Sequence, residues 1–281
     1  MDEVSNINRT DLCVAALYKF VTFPDPAALR AELAALCTTL DLCGTLIVAG
    51  EGINGTVSGT RPAIAALIDT LRALPGCADM DVKYSHAKTP PFGRMKVKLK
   101  REIVTLGIDG VDPVGNAGTY VEPQDWNVLI SDPDTILIDT RNDYEYGIGT
   151  FSGAINPETH SFREFPQWFE QARRQWEEGG KAAPKIAMFC TGGIRCEKST
   201  AMARAMGCED VYHLKGGILR YLEEVPEGES LWRGNCFVFD DRVSVTHGLA
   251  LTDDIICQDC GRPYNRSEDH SCDADGDWHN G

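Results

Sequence analysis

A chain of 281 residues with 43% hydrophobic and 25% charged side chains can bury one or two ordinary cores and is not a disordered segment. No apolar run nears the roughly 18 residues of a membrane helix, and no basic-then-apolar leader is present, so neither a membrane span nor a secretory route is expected. Eleven cysteines, an odd number without framework spacing, argue against a secreted disulfide scaffold and for a reducing cytoplasm, while a net charge of −15 argues at first sight against a nucleic-acid partner.

The first hundred residues alternate between extended and helical patterns. Val14 to Phe20 reads as a strand, and Asp25 caps a helix with Pro26 in its first turn and Leu29, Leu33, Leu36 and Leu40 on one face. Thr45 to Ala49 and Thr56 to Val57 read as strands flanking a turn from Gly50 to Gly55. Thr60 then caps a helix striped by Ile64, Leu67, Ile68 and Leu71, and Met80 to Tyr84 supplies another strand. The order β-α-β-β-α-β predicts a ferredoxin-like (α+β) domain over residues 1–106, with a last strand from Met95 to Leu106 that extends or leaves its sheet.

Lys83 to Arg101 reverses the acidic balance, with seven basic residues and no acidic one. Lys96, Lys98 and Lys100 alternate with Val97 and Leu99, so a strand presents three ammonium groups on one face. Phe92, between Pro91 and Gly93, could stack on a base. Lys83, Lys88, Phe92, Arg94, Lys96, Lys98, Lys100 and Arg101 therefore form a candidate RNA-binding set, against the alternative that the lysines only protect a sheet edge. His86 reads as a surface or RNA-contacting residue rather than a catalytic base.

The stretch 107–123, rich in glycine and proline, reads as a linker. Beyond it Trp126 to Ile130 predicts a short helix, Ile136 to Ile138 a strand, Phe162 to Glu177 a helix, Ile186 to Phe189 a strand and Val211 to Leu214 another, with a last helix after Gly216-Gly217. This alternation implies an α/β domain over residues 124–235 with a central, mostly parallel sheet, whose sites lie beyond the carboxyl ends of strands. Asp139 and Cys190 both fall at such ends.

Cys190 opens the most informative segment, a strand-to-helix turn of Thr191, Gly192, Gly193, Ile194 and Arg195 followed by Cys196. Gly192 and Gly193 can take φ > 0, so several turn amides and the positive helix end can point at one sulfur and stabilise a thiolate or persulfide. Only four residues separate Cys190 from Arg195, a smaller ring than phosphate-cradling loops use and one that suits a sulfur atom. Arg195 could stabilise the thiolate, contact an anion or brace the loop through a carboxylate such as Asp139. Arg141 and Glu145, one helical turn apart, could form an ion pair that fixes the loop after the strand, or act at the substrate with Asp139. Cys196 could resolve an oxidised Cys190 or simply pack.

A C-terminal extension over residues 236–281 carries Cys257-Gln258-Asp259-Cys260, the first half of a zinc knuckle. Cys257, Cys260, His270 and Cys272 are the preferred metal set, with Asp275 and His279 as further donors and a tail of free cysteines as the alternative. No paired histidines mark an iron oxygenase site, and no Gly-x-Gly-x-x-Gly marks a flavin or dinucleotide fold.

Cys190 to Arg195 resembles the six-residue active loop of rhodanese domains, and Asp139-Thr140-Arg141 with Glu145 resembles the acidic-x-Arg signature of an earlier rhodanese strand. Together with Gly50-Glu51-Gly52-Ile53-Asn54-Gly55-Thr56, Lys100-Arg101-Glu102-Ile103-Val104-Thr105-Leu106-Gly107 and Leu214-Lys215-Gly216-Gly217-Ile218, the chain over most of 13–262 resembles the YceA-type (TrhO) rhodanese-domain tRNA uridine hydroxylases. Relatives in that family often carry a second Cys-x-x-Cys pair, from which this chain departs, with Asp275 three residues after Cys272. The resemblance implies hydroxylation of the tRNA wobble uridine to 5-hydroxyuridine, with O₂ as co-substrate, an external reductant, Cys190 and Arg195 at the reaction centre, and the anticodon arm held by the N-terminal domain. The loop alone also permits a sulfurtransferase that passes sulfur from Cys190 to an acceptor, or a redox-sensing RNA-binding module without turnover.

Overall fold

A short apolar run makes Leu12–Phe20 a strand, β1, and the aspartate-plus-proline start at Asp25 makes Pro26–Thr39 the helix α1, with the Asp25 carboxylate accepting from the Ala28 amide. The computed structural model describes residues 12–87, 90–180, 184–239, 242–267, 270 and 272. Its chain divides into two compact units, Met1–Thr105 and Leu106–Gly281.

In the first unit, β2 (Cys43–Ala49), β3 (Gly52–Gly59), α2 (Arg61–Arg72), β4 (Asp81–Ala87) and β5 (Met95–Leu99) follow. The sheet order β4-β1-β3-β2-β5 is the ferredoxin-like arrangement, with β5 added parallel to β2 at one edge. Leu29, Leu33, Ile64, Leu67 and Leu71 from the two helices pack on Ala15, Leu17, Leu46, Val48, Ile53 and Val57. The expected turn from Gly50 to Gly55 is much tighter, because β3 already begins at Gly52, paired with both Phe20 and Ala49. The expected strand from Met95 to Leu106 stops at Leu99. Beyond it, the Glu51 carboxylate accepts the Ile103 amide at 2.7 Å and the Asn54 amide group donates to the Ile103 carbonyl at 2.9 Å, which draws the chain off the β2 edge.

The second unit contains α3 (Pro113–Asn116), β6 (Thr119–Val121), α4 (Pro123–Ile130), β7 (Thr135–Asp139), α5 (Asp143–Ile148), β8 (Gly149–Phe151), α6 (Phe165–Glu178), β9 (Lys185–Phe189), α7 (Ile194–Ala205), β10 (Val211–Leu214) and α8 (Gly217–Glu224). Five short strands end it: β11 (Trp232–Gly234), β12 (Cys236–Phe237), β13 (Ser244–Val245), β14 (Asp254–Ile256) and β15 (Pro263–Asn265). The central sheet β6-β10-β9-β7 is entirely parallel, as the alternation of elements predicts.

The glycine-rich stretch expected as a linker instead supplies α3 and the edge strand β6. Gly118 is there for close packing rather than for slack: a Cβ would lie 2.8 Å from Thr200 Cβ and 2.9 Å from the Val211 carbonyl oxygen. Phe151 centres the core, meeting Phe189, Tyr221 and Trp232 edge-on at centroid distances of 4.9, 4.7 and 5.1 Å. That aromatic packing fixes the end of β9, and with it the start of the loop that follows.

Candidate active site and metal centre

β9 delivers Cys190 into the turn before α7, and the turn wraps its sulfur. Gly193 adopts φ = 104°, so its amide donates to Cys190 Sγ at 3.1 Å and its position begins α7. Gly192, expected to share this role, keeps out of the left-handed region. Burial pushes the Cys190 thiol up, but the Cys196 thiol, the Arg195 charge and the amides of Cys196 and Gly193 outweigh it and bring it down to about 6. Cys190 is only 1% exposed, so this thiolate is desolvated and held by protein groups rather than by water. Cys196 is buried too. Burial and the neighbouring sulfur push its own thiol well up, while Thr140 Oγ1 lies 3.6 Å from its sulfur and donates to the Phe189 carbonyl at 3.0 Å.

The carboxylates pair differently from the expected scheme. Arg141 does not meet Glu145 across a helical turn, because Arg141 precedes the helix and only Asn142 caps α5. Its guanidinium instead grips Asp139 in a bidentate pair at 2.9 and 2.6 Å, donates to the Gly149 carbonyl and lies over the Trp232 ring. Asp139 also accepts from Thr150 Oγ1 at 2.9 Å. Arg195 is therefore braced not by Asp139 but by Glu145, through two bonds of 2.7 Å. As the third residue of a capping box, the Glu145 side chain folds back to the Asn142 amide at 3.1 Å and faces the loop, where Thr191 Oγ1 donates to it at 3.3 Å. Burial raises the Glu145 carboxyl, but Arg195 outweighs it and holds it below its ordinary value.

One part of the site was not singled out by residue type. The amides of Ile218 and Leu219 donate to the Cys190 and Thr191 carbonyls at 3.0 and 3.1 Å, so the start of α8 clamps the outside of the loop. Gly217 makes this possible, since a Cβ there would lie 2.5 Å from both carbonyl oxygens. The Gly216-Gly217 pair was the only sequence signal for it.

The C-terminal donors also converge. The ligand atoms of Cys257, Cys260, His270 and Cys272 all lie within 4.8 Å of one another, with Cys257 Sγ 3.4 Å from Cys272 Sγ and Cys260 Sγ 3.1 Å from His270 Nε2. Donors at zinc distances of about 2.0–2.3 Å in a tetrahedron stand roughly 3.5–3.8 Å apart, so the group needs only small shifts to hold a metal ion. The amides of Cys260 and Asp259 lead in drawing the Cys257 thiol down to about 6. Asp275 and His279 lie outside the described residues.

Among the basic residues, Lys96, Lys98, Lys100, Arg94 and Arg101 are exposed and Phe92 is half-buried, while Lys88 lies outside the described residues. The register sets Lys83, Ala16, Thr56, Thr45 and Lys96 in one row across the five strands, on the face opposite the helices. Lys83 at one edge and Lys96 at the other are thus about 19 Å apart, four strand spacings. Arg30 caps the outer carbonyl of Val97 at 3.0 Å, so this edge has protection that does not depend on the lysines.

A desolvated thiolate in a strand-to-helix loop, behind a parallel sheet and braced by a buried Arg–Glu pair, defines a rhodanese-class cysteine site. Residues 12–103 match the UPF0176 acylphosphatase-like domain family and residues 122–224 the rhodanese-like domain family. Proteins named tRNA uridine(34) hydroxylase from Brucella anthropi and Gluconobacter oxydans are each 60% identical to the chain, over 252 and 255 residues that cover 90% and 91% of it and 81% of each relative. The chain belongs to the tRNA uridine(34) hydroxylase family.

Proposed function

We propose that the protein hydroxylates C5 of the wobble uridine of tRNA, in the cytoplasm, with the Cys190 thiolate or a persulfide on it at the reaction centre. The carrying observation is the amide-lined, arginine-supported Cys190 sulfur, whose thiol is brought down to about 6 and so is ionised at neutral pH. Insertion of one oxygen atom of O₂ converts the C5–H bond to C–OH, while the other atom leaves as water with two electrons and two protons from an external reductant. Arg195, fixed by Glu145, would hold the developing negative charge beside the sulfur. The exposed lysines of β5 would bind the anticodon arm through its phosphates. Zinc is the ion we assign to the C-terminal group, because a set of three cysteines and one histidine fills a tetrahedron and suits that metal.

The test is wobble-nucleoside mass spectrometry of a deletion strain complemented with variants. Cys190→Ser should leave no 5-hydroxyuridine while tRNA binding and thermal stability stay near wild type. Full modification by that variant would overturn the thiolate reading. Neutralising Lys96, Lys98 and Lys100 should weaken tRNA binding and flatten the slope of log K against log salt by roughly 2 to 3 units. An unchanged slope would return those lysines to a purely structural role. A loop sized for sulfur also fits a carrier of sulfane sulfur, so loss of 2-thiouridine in place of 5-hydroxyuridine would select sulfur transfer.

A further inference from the structure

We infer that the C-terminal metal site is a clamp on the active loop: an ion held by Cys257, Cys260, His270 and Cys272 fixes the β14–β15 hairpin against α5, the helix that carries Glu145. This rests on the metal-binding reading of those four side chains. Four protein donors leave a tetrahedral ion no open position, which makes the site structural rather than catalytic. The hairpin needs such a staple. It has three residues per strand, one of them Pro263 without an N–H, and a two-stranded hairpin of that length is marginal in water. The donors sit where a staple works. Cys257 follows β14 directly, Cys260 lies in the turn closed by the bond from the Gly261 amide to the Cys257 carbonyl at 3.0 Å, and His270 returns after β15 to stack on Tyr264 at 4.4 Å.

From the hairpin, contacts lead to the loop. β15 packs against α5. The buried Asp254 carboxylate of β14 accepts from Asn265 at 3.0 Å, Asn235 at 2.8 Å and Ser244 at 2.6 Å, which joins β15, the approach to β12 and β13 at one group. The Asn235 amide then donates at 2.7 Å to the carbonyl of Ile148, the last residue of α5. Phe237 of β12 meets Tyr144 of α5 edge-on at 5.3 Å, and Phe239 lies against the Arg195 guanidinium, 5.9 Å from its carbon. Loosening the hairpin therefore frees the end of α5 and the ring over Arg195, and with them the brace on Cys190.

The experiment combines metal analysis of the full-length protein with amide hydrogen exchange before and after stripping by a chelator under reducing conditions. About one zinc per chain is expected, and removal should speed exchange of the α5 amides about tenfold or more while leaving β1–β3 unchanged, with recovery on adding zinc back. Asp254→Asn should keep the zinc yet give the same acceleration, since it breaks the path and not the site. Zinc bound with α5 exchange unmoved by stripping would overturn the clamp and leave the metal site standing. A chain that takes up no zinc would overturn the metal reading, and the clamp with it.

Discussion

Cys190 and Cys257 are both brought down to about 6, and in both cases the amides of the turn that follows contribute. What surrounds the two sulfurs differs. Cys190 is closed off from water beside a guanidinium that its own carboxylate partner holds in place, and its neighbouring thiol, Cys196, is pushed up and stays protonated. Cys257 shares its space with two more sulfurs and an imidazole, and the amides of Cys260 and Asp259 lead in drawing it down. A thiolate balanced by a fixed protein cation keeps its lone pairs for a reactant, whereas three thiols and an imidazole crowded together form a donor set for a metal ion. The proposed function thus gives the same lowered thiol a chemical role in one place and a structural role in the other.

The sharpest break in this contrast is Glu145→Gln. It leaves Arg195 charged and buried without its carboxylate, and breaking a buried pair on one side costs about 3–5 kcal/mol. Denaturant unfolding followed in the second unit should show that loss, together with loss of wobble hydroxylation. The double change Glu145→Gln with Arg195→Met should recover much of the stability and none of the activity. At the cluster the corresponding truncation, Cys260→Ser, should cost stability only while metal is present, and an equal loss in chelator would contradict the assigned roles.

A smaller effect separates two glycines. Gly217, at φ = 66°, also lets the start of α8 touch the loop, so Gly217→Ala adds a clash with two carbonyls to the left-handed strain and should cost about 2–4 kcal/mol. Gly248, at φ = 67° with nothing within 4 Å of an added Cβ, should lose only about 1 kcal/mol on the same change. Thermal unfolding of the two variants checks the order. Equal losses would mean that α8 does not clamp the loop.

The ferredoxin-like order was legible in the sequence because each of its helices opens on a capping residue with proline in its first turn and carries an apolar stripe. The Cys190 turn was legible because a cysteine followed by two glycines between a strand and a helix can aim amides at its sulfur, as Gly193 does. The pairing of charges was not. Arg141 and Glu145 look like helix neighbours along the chain, and only the position of the Asn142 cap, set by where β7 ends, sends one to Asp139 and the other to Arg195. Gly118 likewise reads as slack until the approach of Thr200 is known, since a sequence shows a missing side chain but not what fills its place.

The finest test follows the Cys190 proton. With its folded thiol at about 6 against an ordinary value of 9.0, the unfolded chain binds more protons between these limits, so the thiolate's contribution to stability is fully present above pH 9 and is lost as pH falls through 6. The stability of the wild type minus that of Cys190→Ser should therefore grow as pH rises from 6 to 9 and be flat beyond, at constant zinc. The thiolate ultraviolet absorbance of the same pair, taken as a difference, should reach half its height near pH 6, and Arg195→Met should move that point upward by removing one of the groups that hold the charge. Stripping zinc should add a separate signal from the cluster thiols, present in both proteins and so absent from the difference. A half-point near 9 in the wild type would show that the loop does not hold a thiolate, and the contrast between the two sulfurs would collapse.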